Sequence, residues 1–336
     1  MDSLTHIALG ACLGELFLGK KIGKKAMLYG AVAASLPDID FVASFWLSPT
    51  GDLLAHRGLT HSICFAVAFV AGAALFLSRR HRTENVSNVS WLVFLGTAIT
   101  SHLFLDAFNA YGIGWFEPFN HHRFSFNILF VADPFFSLWL AIAAIVLLFG
   151  RSGIRRRSWA IFGLAGCSLY LIYACINKFR TDQQMQYAMA QNGIHNKRYF
   201  TTPCPFNNWL WYLVAETDDG FAIGYRSVFD GNQPIVFTYF ARQESLLDPF
   251  SGQVQLANLK LFSEGFYTAA STEKGIVFND LRFGQMMGWQ DPEAAFVFHF
   301  YLQHAEENGL VVQRGRFANW NKKAVLVYIK RIQGIR

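Results

Sequence analysis

Histidine and aspartate recur in five short groups within the first 134 residues. They are Asp2 with His6, Asp38 and Asp40 in Pro37-Asp38-Ile39-Asp40, His56 and His61 in His56-Arg57-Gly58-Leu59-Thr60-His61-Ser62, His102 with Asp106, and Asp133 before Pro134. Asp2/His6 and His102/Asp106 are each four residues apart, so on a helix each pair shares one face. Such a pair supplies two metal ligands, or one ligand and the carboxylate that orients it. Imidazole and carboxylate at one site without thiolate suit Zn²⁺ or a similar divalent cation. Three or more carboxylates would also serve two bridged metals. Each residue taken singly has a structural reading of equal weight. Asp133 before Pro134 is the pattern of a helix N-cap with Pro at the first helical position. His81, His121 and His122 fall between apolar blocks, where a structural role is favoured.

The elements that must hold these residues are apolar. Blocks at Leu4–Gly19, Ala26–Leu47, Leu59–Ser78, Val89–Phe108, Asn127–Gly150 and Ser158–Asn177 approach the roughly 20 residues of a bilayer crossing, and the second is interrupted by Pro37–Asp40. A broken helix at membrane depth is tolerated only where it is buried in protein or lines a wet cavity. The first block has no basic residue before Lys20, the wrong order for a cleaved signal, and is read as a retained helix. Residues 1–177 hold 13 of the 29 Lys+Arg and 9 of the 23 Asp+Glu, nearly all between blocks; residues 178–336 carry 16 basic and 14 acidic side chains, spread evenly. The fold class expected is therefore an α-helical polytopic membrane bundle of about six helices over residues 1–177, followed by a soluble α+β domain over 178–336.

Lys20, Lys21, Lys24 and Lys25 follow the first block, Arg79, Arg80 and Arg82 the third, and Arg151, Arg155, Arg156 and Arg157 the fifth. By the positive-inside rule these three loops are cytoplasmic. The C-terminal domain is then on the outer side, which in a bacterial inner membrane is the periplasm. The sequons at Asn85 and Asn88 point the other way, and the charge count outweighs them. Counted at about 1.5 Å per residue from the cytoplasmic loops, His6, Asp38, His61, His102 and Asp133 come out roughly 20–27 Å up. In a hydrocarbon core of about 30 Å they all reach the outer third. Ionisable groups at such depth must face inward and compensate one another, and they mark function by default.

An N-terminal Asp-x-x-x-His, then Pro-Asp-x-Asp, then His-Arg-Gly-x-Thr-His-Ser, then His-x-x-x-Asp resembles the YdjM-like family of membrane-bound metal-dependent hydrolases. The resemblance covers about residues 1–175, and the string His56–Ser62 is its most specific part. It implies a hydrolase using metal held by these His and Asp residues, and leaves the substrate undefined. A fainter likeness, helices supplying His and Asp to a zinc cluster, is to zinc-dependent phospholipase C and related nucleases. The ligand set expected is His6, Asp38, Asp40, His56, His61, His102 and Asp106 around a divalent metal, most simply zinc. Asp40 or Asp133 would take the proton, and Arg57 would pair with an anionic head group, since guanidinium matches phosphate bidentately. The depth favours a lipid or lipid-linked phosphoester as substrate. Two other readings stay open, an ion-coupled transporter and a non-catalytic membrane anchor presenting the C-terminal domain. Against transport, Glu15 alone continues the polar path toward the cytoplasmic side.

Other signatures fail. Gly14–Lys20 begins like a phosphate loop, but Lys21 stands where Ser or Thr is required. The five cysteines show no metal spacing or disulfide framework, and the net charge of +6 comes largely from loop Lys and Arg, so no nucleic-acid partner is read. In the soluble part, Phe179–Asn192 reads as an amphipathic helix, and Trp209–Thr217 with Phe221–Phe229 as a hairpin around Asp218-Asp219-Gly220. Further strands are expected at Ile235–Arg242, Gly275–Phe278, Phe296–Tyr301 and Ala324–Ile332, with a helix at Val254–Ala269. His195, His299 and His304 follow no ligand spacing.

Overall fold

Small residues bring the first two helices into backbone contact. In the computed structural model, α1 (Ser3–Ile22) lies against α2 (Lys25–Ser35) so closely that a Cβ on Gly10 would fall 2.1 Å from the Gly30 carbonyl oxygen. One on Gly14 would fall 1.9 Å from that of Ala26. Glycines four apart permit this approach. The structure describes residues 1–81, 86–150, 155–195, 197–303 and 320–335; Arg82, Asn85, Arg151 and His304 of the sequence reading lie outside them. The chain divides into two compact units. One comprises Met1–Ala43 with Ala55–Cys175, the other Ser44–Leu54 with Ile176–Arg336.

α2 gives way at Pro37 to a 3₁₀ segment, Pro37–Phe45. Proline has no N–H to continue the ladder, and the two pieces meet at 53°. After α3 (Pro49–Ala55) and a 3₁₀ turn at Leu59–His61 come α4 (Ile63–Arg80), α5 (Asn88–Asp106), α6 (Pro134–Phe149) and α7 (Arg156–Gln191). Capping sets the starts. Asp2 accepts from Thr5 N, Ser62 from Phe65 N, and Asp133 from Phe135 N and Phe136 N with Pro134 behind it. These groups satisfy orphan N–H donors of each first turn.

Of the six crossings expected, three helices among the described residues are long and apolar enough to span, namely α4 (18 residues), α5 (19) and α7 (36); α2 with the bent Pro37–Phe45 segment, counted as one span, makes a fourth. The 16 residues of α6 reach only about 24 Å of a core of about 30 Å. α1 has 20 residues but includes Glu15, Lys20 and Lys21.

The second unit carries two antiparallel sheets. β1 (Tyr199–Pro203), β2 (Leu210–Glu216), β3 (Gly220–Ser227) and β4 (Phe237–Ala241) lie in sequential order, and β5 (Tyr267–Thr272), β6 (Gly275–Gln285) and β7 (Phe296–Tyr301) form a second, three-stranded sheet. The hairpin between β2 and β3 is in the expected place, with Tyr212 paired to Tyr225 and Ala215 to Ala222. Phe221, Ile223, Tyr212, Leu281 and Phe296 share one buried core. The helix expected over Val254–Ala269 stops early: α8 is Val254–Phe262, and Gly265 at φ +82° turns the chain into β5. The expected strand Ala324–Ile332 is a helix, α9 (Lys322–Ile332). Asn321 caps it, and Ala324, Tyr328 and Arg331 are its buried residues, spaced four and three apart. A β-branched run reads as strand by propensity; cap and burial period override it.

Candidate metal centre

Four side chains from three separate segments of the first unit converge on one point. Asp38 comes from the 3₁₀ segment after the α2 break, His61 from the 3₁₀ turn before α4, and His102 and Asp106 from one face of α5. One ligand atom from each lies within 4.8 Å of the others. His61 sits one residue before the Ser62 cap, and so precedes α4 rather than opening it. His61, His102 and Asp106 are wholly buried and Asp38 partly so.

Five distances define the group. His61 Nε2 to His102 Nε2 is 3.1 Å. Asp38 Oδ1 is 3.6 Å from the first and 3.7 Å from the second, and Asp106 Oδ2 is 3.4 and 3.6 Å from them. Ligands at about 2.0–2.1 Å around a tetrahedral cation stand about 3.3–3.4 Å apart, so these residues fit a single metal ion.

The imidazole tautomers fit it as well. His102 Nδ1 donates to the Ala34 carbonyl at 2.6 Å; Ala34 is in the last turn of α2, where carbonyls have no partner within the helix. His61 Nδ1 lies 3.1 Å from the Thr60 hydroxyl and 3.4 Å from Asp40 Oδ2. The bond to the Ala34 carbonyl leaves His102 Nε2 as an acceptor facing His61 Nε2 at 3.1 Å, an arrangement that a cation between the two nitrogens would suit. Asp38 Oδ2, Asp40 Oδ1, Asp106 Oδ2 and His6 Nδ1 are buried with no hydrogen-bond partner.

The other residues named from sequence surround this group. His6 Nε2 lies 3.1 Å from Asp106 Oδ1, on the far carboxylate oxygen, and its ring lies against His102 at 3.9 Å between centroids, tilted by 32°. The Met1 amine also contacts Asp106 Oδ1. Asp40 Oδ2 accepts from the Arg57 backbone N–H at 2.6 Å and lies 3.2 Å from Nδ1 of half-exposed His56. Asp40 and His56 thus pair beside the group and lie outside the four atoms.

Arg57 is placed differently from the sequence expectation. It is buried, with Nη1 donating to Asn109 Oδ1 at 2.7 Å and Nε 3.1 Å from Asp106 Oδ2 without hydrogen-bond alignment. The guanidinium is committed to Asp106 and Asn109 instead of standing open to a head group. Its φ of +58° is a left-handed conformation unusual for a non-glycine residue, the kind of strain that concentrates at functional sites. Asp133 caps α6, and its Oδ2 accepts from Tyr170 at 2.9 Å. None of its described partners belongs to the cluster, so it is occupied as a cap. Asp2 likewise caps α1.

Sequence reasoning missed Asn109 and the role of Arg123. Asn109 lies three residues beyond Asp106, in the turn that follows α5, where helical spacing gives no signal. Arg123 Nη2 donates to the His56 carbonyl at 2.7 Å, across a separation no local pattern reveals. His81 is no surface loop residue: it ends α4 buried, with Nε2 2.8 Å from the Tyr29 hydroxyl.

Residues 1–181 match the family described as YdjM inner membrane protein. Inner membrane protein YbcI of Escherichia coli is 35% identical over 124 residues, 36% of this chain and 69% of that protein. Uncharacterized protein YfhP of Bacillus subtilis is 34% identical over 251 residues, 71% of this chain and 72% of that one. A selenate reductase subunit of Mesobacillus selenatarsenatis is 28% identical over 161 residues, 46% of this chain and 34% of that protein. No solved structure matches. With its motifs and the matched region both spanning the membrane unit, the chain belongs to the YdjM inner membrane protein family.

Proposed function

We propose that the protein is a membrane-bound metal-dependent hydrolase that acts near the outer membrane face on a lipid or lipid-linked phosphoester. The observation that carries this is the four-atom group of Asp38, His61, His102 and Asp106, with neighbouring ligand atoms 3.1–3.7 Å apart. A divalent cation held there, most simply zinc, supplies Lewis acidity, polarising a phosphoryl oxygen and acidifying water.

The chain's own residues divide the remaining work. His6 and Arg57 hold Asp106 from two sides, and the Ala34 carbonyl holds His102 in one tautomer. His56, half-exposed with Asp40 against its Nδ1, is the group placed to pass a proton between the site and solvent. Asp40 orients that imidazole and stands beside His61 as well, so in this reading it positions His56 in place of the ligand and proton-accepting parts expected from sequence. Asp133 has no part in this reading.

Metal stoichiometry tests the assignment. His61→Ala, purified full-length and monodisperse, is expected to lose its metal while inserting normally, and His121→Ala, an exposed histidine paired with Glu117, is expected to keep it. Equal metal in wild type and both variants would sink the proposal. Orientation is part of the same reading. A reporter active only in the periplasm should work when fused at the C terminus and stay silent after Arg80, and the reverse pattern overturns the outer-face placement.

A second reading has one observation in its favour. The name of the Mesobacillus relative is that of a reductase component, which suits a membrane anchor without chemistry of its own. Such an anchor would show no hydrolysis with or without metal.

A further inference from the structure

We infer that the C-terminal helix α9 lies in the surface of the bilayer the chain spans. Val325, Leu326 and Ile329 then meet the acyl boundary, and Lys322, Lys323 and Lys330 meet anionic phospholipid head groups. The inference does not depend on the metal site or on hydrolysis.

The helix is apolar on two sides, and the soluble unit covers one of them. The inner side is Ala324, Tyr328 and Arg331, all buried. Tyr328 belongs to the core with Phe221 and Leu281, and Arg331 is taken up by Asp230. At about 100° per residue, Val325, Leu326 and Ile329 fall on the opposite side. They stay exposed, Leu326 at 53%, and three large apolar side chains grouped on one exposed face mark an interaction surface. Charge narrows the partner. The helix holds four basic residues and no acidic one, and Arg331 alone is neutralised from within the unit. Lys322, Lys323 and Lys330 are exposed, and among the described residues no carboxylate pairs with them. An apolar strip edged by lysines is the composition of a helix that lies on an anionic bilayer.

Position decides between a bilayer and an acidic protein. α7 is long and apolar enough to span the membrane. From Arg156 to Asn177 it rises about 32 Å, close to the roughly 30 Å of the hydrocarbon core, so Asn177 marks the point where α7 leaves it. Asn177 Nδ2 donates to the Asn208 carbonyl at 3.0 Å and to its side-chain oxygen at 3.1 Å. The adjoining Asn207 donates to the Tyr328 hydroxyl at 2.8 Å, and that hydroxyl donates to the Pro205 carbonyl at 2.8 Å. All of these residues belong to the second unit, and Asn177, Asn207, Asn208 and Tyr328 are buried. The turn Pro205–Asn208 therefore clamps the middle of α9 beside the exit of α7. A helix fixed at that height has a bilayer surface next to it in every copy of the protein, whereas a protein partner would have to be recruited.

Photocrosslinking of the full-length protein in nanodiscs tests this. Leu326→p-benzoylphenylalanine places the probe on the outer side of α9. The same replacement at Leu169, exposed on the spanning part of α7, is the control that reaches lipid in any bilayer. With phosphatidylglycerol mixed into phosphatidylcholine, the Leu326 probe should form lipid adducts, read by intact mass. Its adduct yield should fall at least about threefold in phosphatidylcholine alone, and as far when Lys322→Glu, Lys323→Glu and Lys330→Glu are combined. Salt at about 1 M, which shortens the screening length to about 3 Å, should do the same with all three lysines in place, so the result does not hang on the folding of the triple variant. The Leu169 yield should stay constant throughout. No lipid adduct at Leu326 while Leu169 gives one overturns the inference, as does an adduct to protein alone. A Leu326 yield indifferent to lipid charge, lysine charge and salt overturns it equally.

Discussion

The two units treat buried charge in opposite ways. In the soluble unit, Arg331 of α9 meets Asp230 in a bidentate pair at 2.7 and 2.9 Å, with one Nη also donating to the Tyr225 carbonyl. Glu216 takes Arg198 at 2.9 Å on one oxygen and Arg242 at 2.7 Å on the other. Each carboxylate has its cation. The membrane unit can do the same: Glu15 is gripped by Arg156 through two hydrogen bonds, 3.0 and 2.6 Å. At the cluster it does not. Asp38, Asp40 and Asp106 converge with the Arg57 guanidinium and the Met1 amine, His61 Nε2 stands 3.1 Å from His102 Nε2, and Asp38 Oδ2, Asp40 Oδ1, Asp106 Oδ2 and His6 Nδ1 are among the buried polar atoms that lack hydrogen-bond partners. Pairing of the first kind serves the fold, and a deficit of positive charge of the second kind is what a cation-binding site looks like before its cation is counted.

The comparison can be broken at either end. Arg331→Ala should cost about 3–5 kcal/mol, because it strands a wholly buried Asp230. Thermal unfolding of the soluble unit within the full-length protein should register this, with metal content per folded molecule unchanged. A loss below about 1 kcal/mol would show that the pair contributes little. Asp38→Asn should act the other way round. Wild type should gain about 2.7 kcal/mol when free metal is a hundredfold above its dissociation constant, and Asp38→Asn should gain almost none at that concentration. Its metal-free form should melt no lower than metal-free wild type, since one converging carboxylate is gone. A lower metal-free melting temperature would mean that Asp38 is a structural partner, and the contrast between units would fail.

The smallest effect concerns pH. Burial alone would raise the Glu216 carboxyl, but hydrogen bonds from Arg198 and Arg242 outweigh it and hold it below its ordinary value. A carboxyl lowered by folding contributes stability above its unfolded value of about 4.3, and that contribution is lost as pH falls through the lower folded value. Glu216→Gln should therefore cost less than about 1 kcal/mol at neutral pH, given its partial exposure. It should also flatten the acid limb of the stability curve below about pH 4. An unchanged acid limb would remove Glu216 from the set of groups that govern acid unfolding.

Sequence alone determined the solvents and the inventory. The apolar blocks separated a membrane part from an evenly charged soluble one, and the motifs from Asp2 to Asp106 carried the family resemblance. The i,i+4 pair His102/Asp106 was legible because both lie on one regular helix, where spacing is geometry. The helical rise even brought His6, Asp38, His61 and His102 to one depth before any contact was known. Tertiary structure decided how those residues divide. His6 and Asp40 carry the same side chains as His102 and Asp38, yet they stand one contact further out, His6 on the far oxygen of Asp106 and Asp40 between the Arg57 backbone N–H and His56. Arg57 was read as open to substrate and is buried against Asp106, and Asp133 was offered as a base and is a helix cap. In both, the surroundings were not visible from the sequence. The α9 segment errs for the same reason: Val325, Leu326 and Val327 favour a strand locally, but the Asn321 cap and the burial of Tyr328 and Arg331 override that preference. The partners of those two buried side chains, Asn207 and Asp230, lie a hundred or more positions away, beyond the reach of any local pattern.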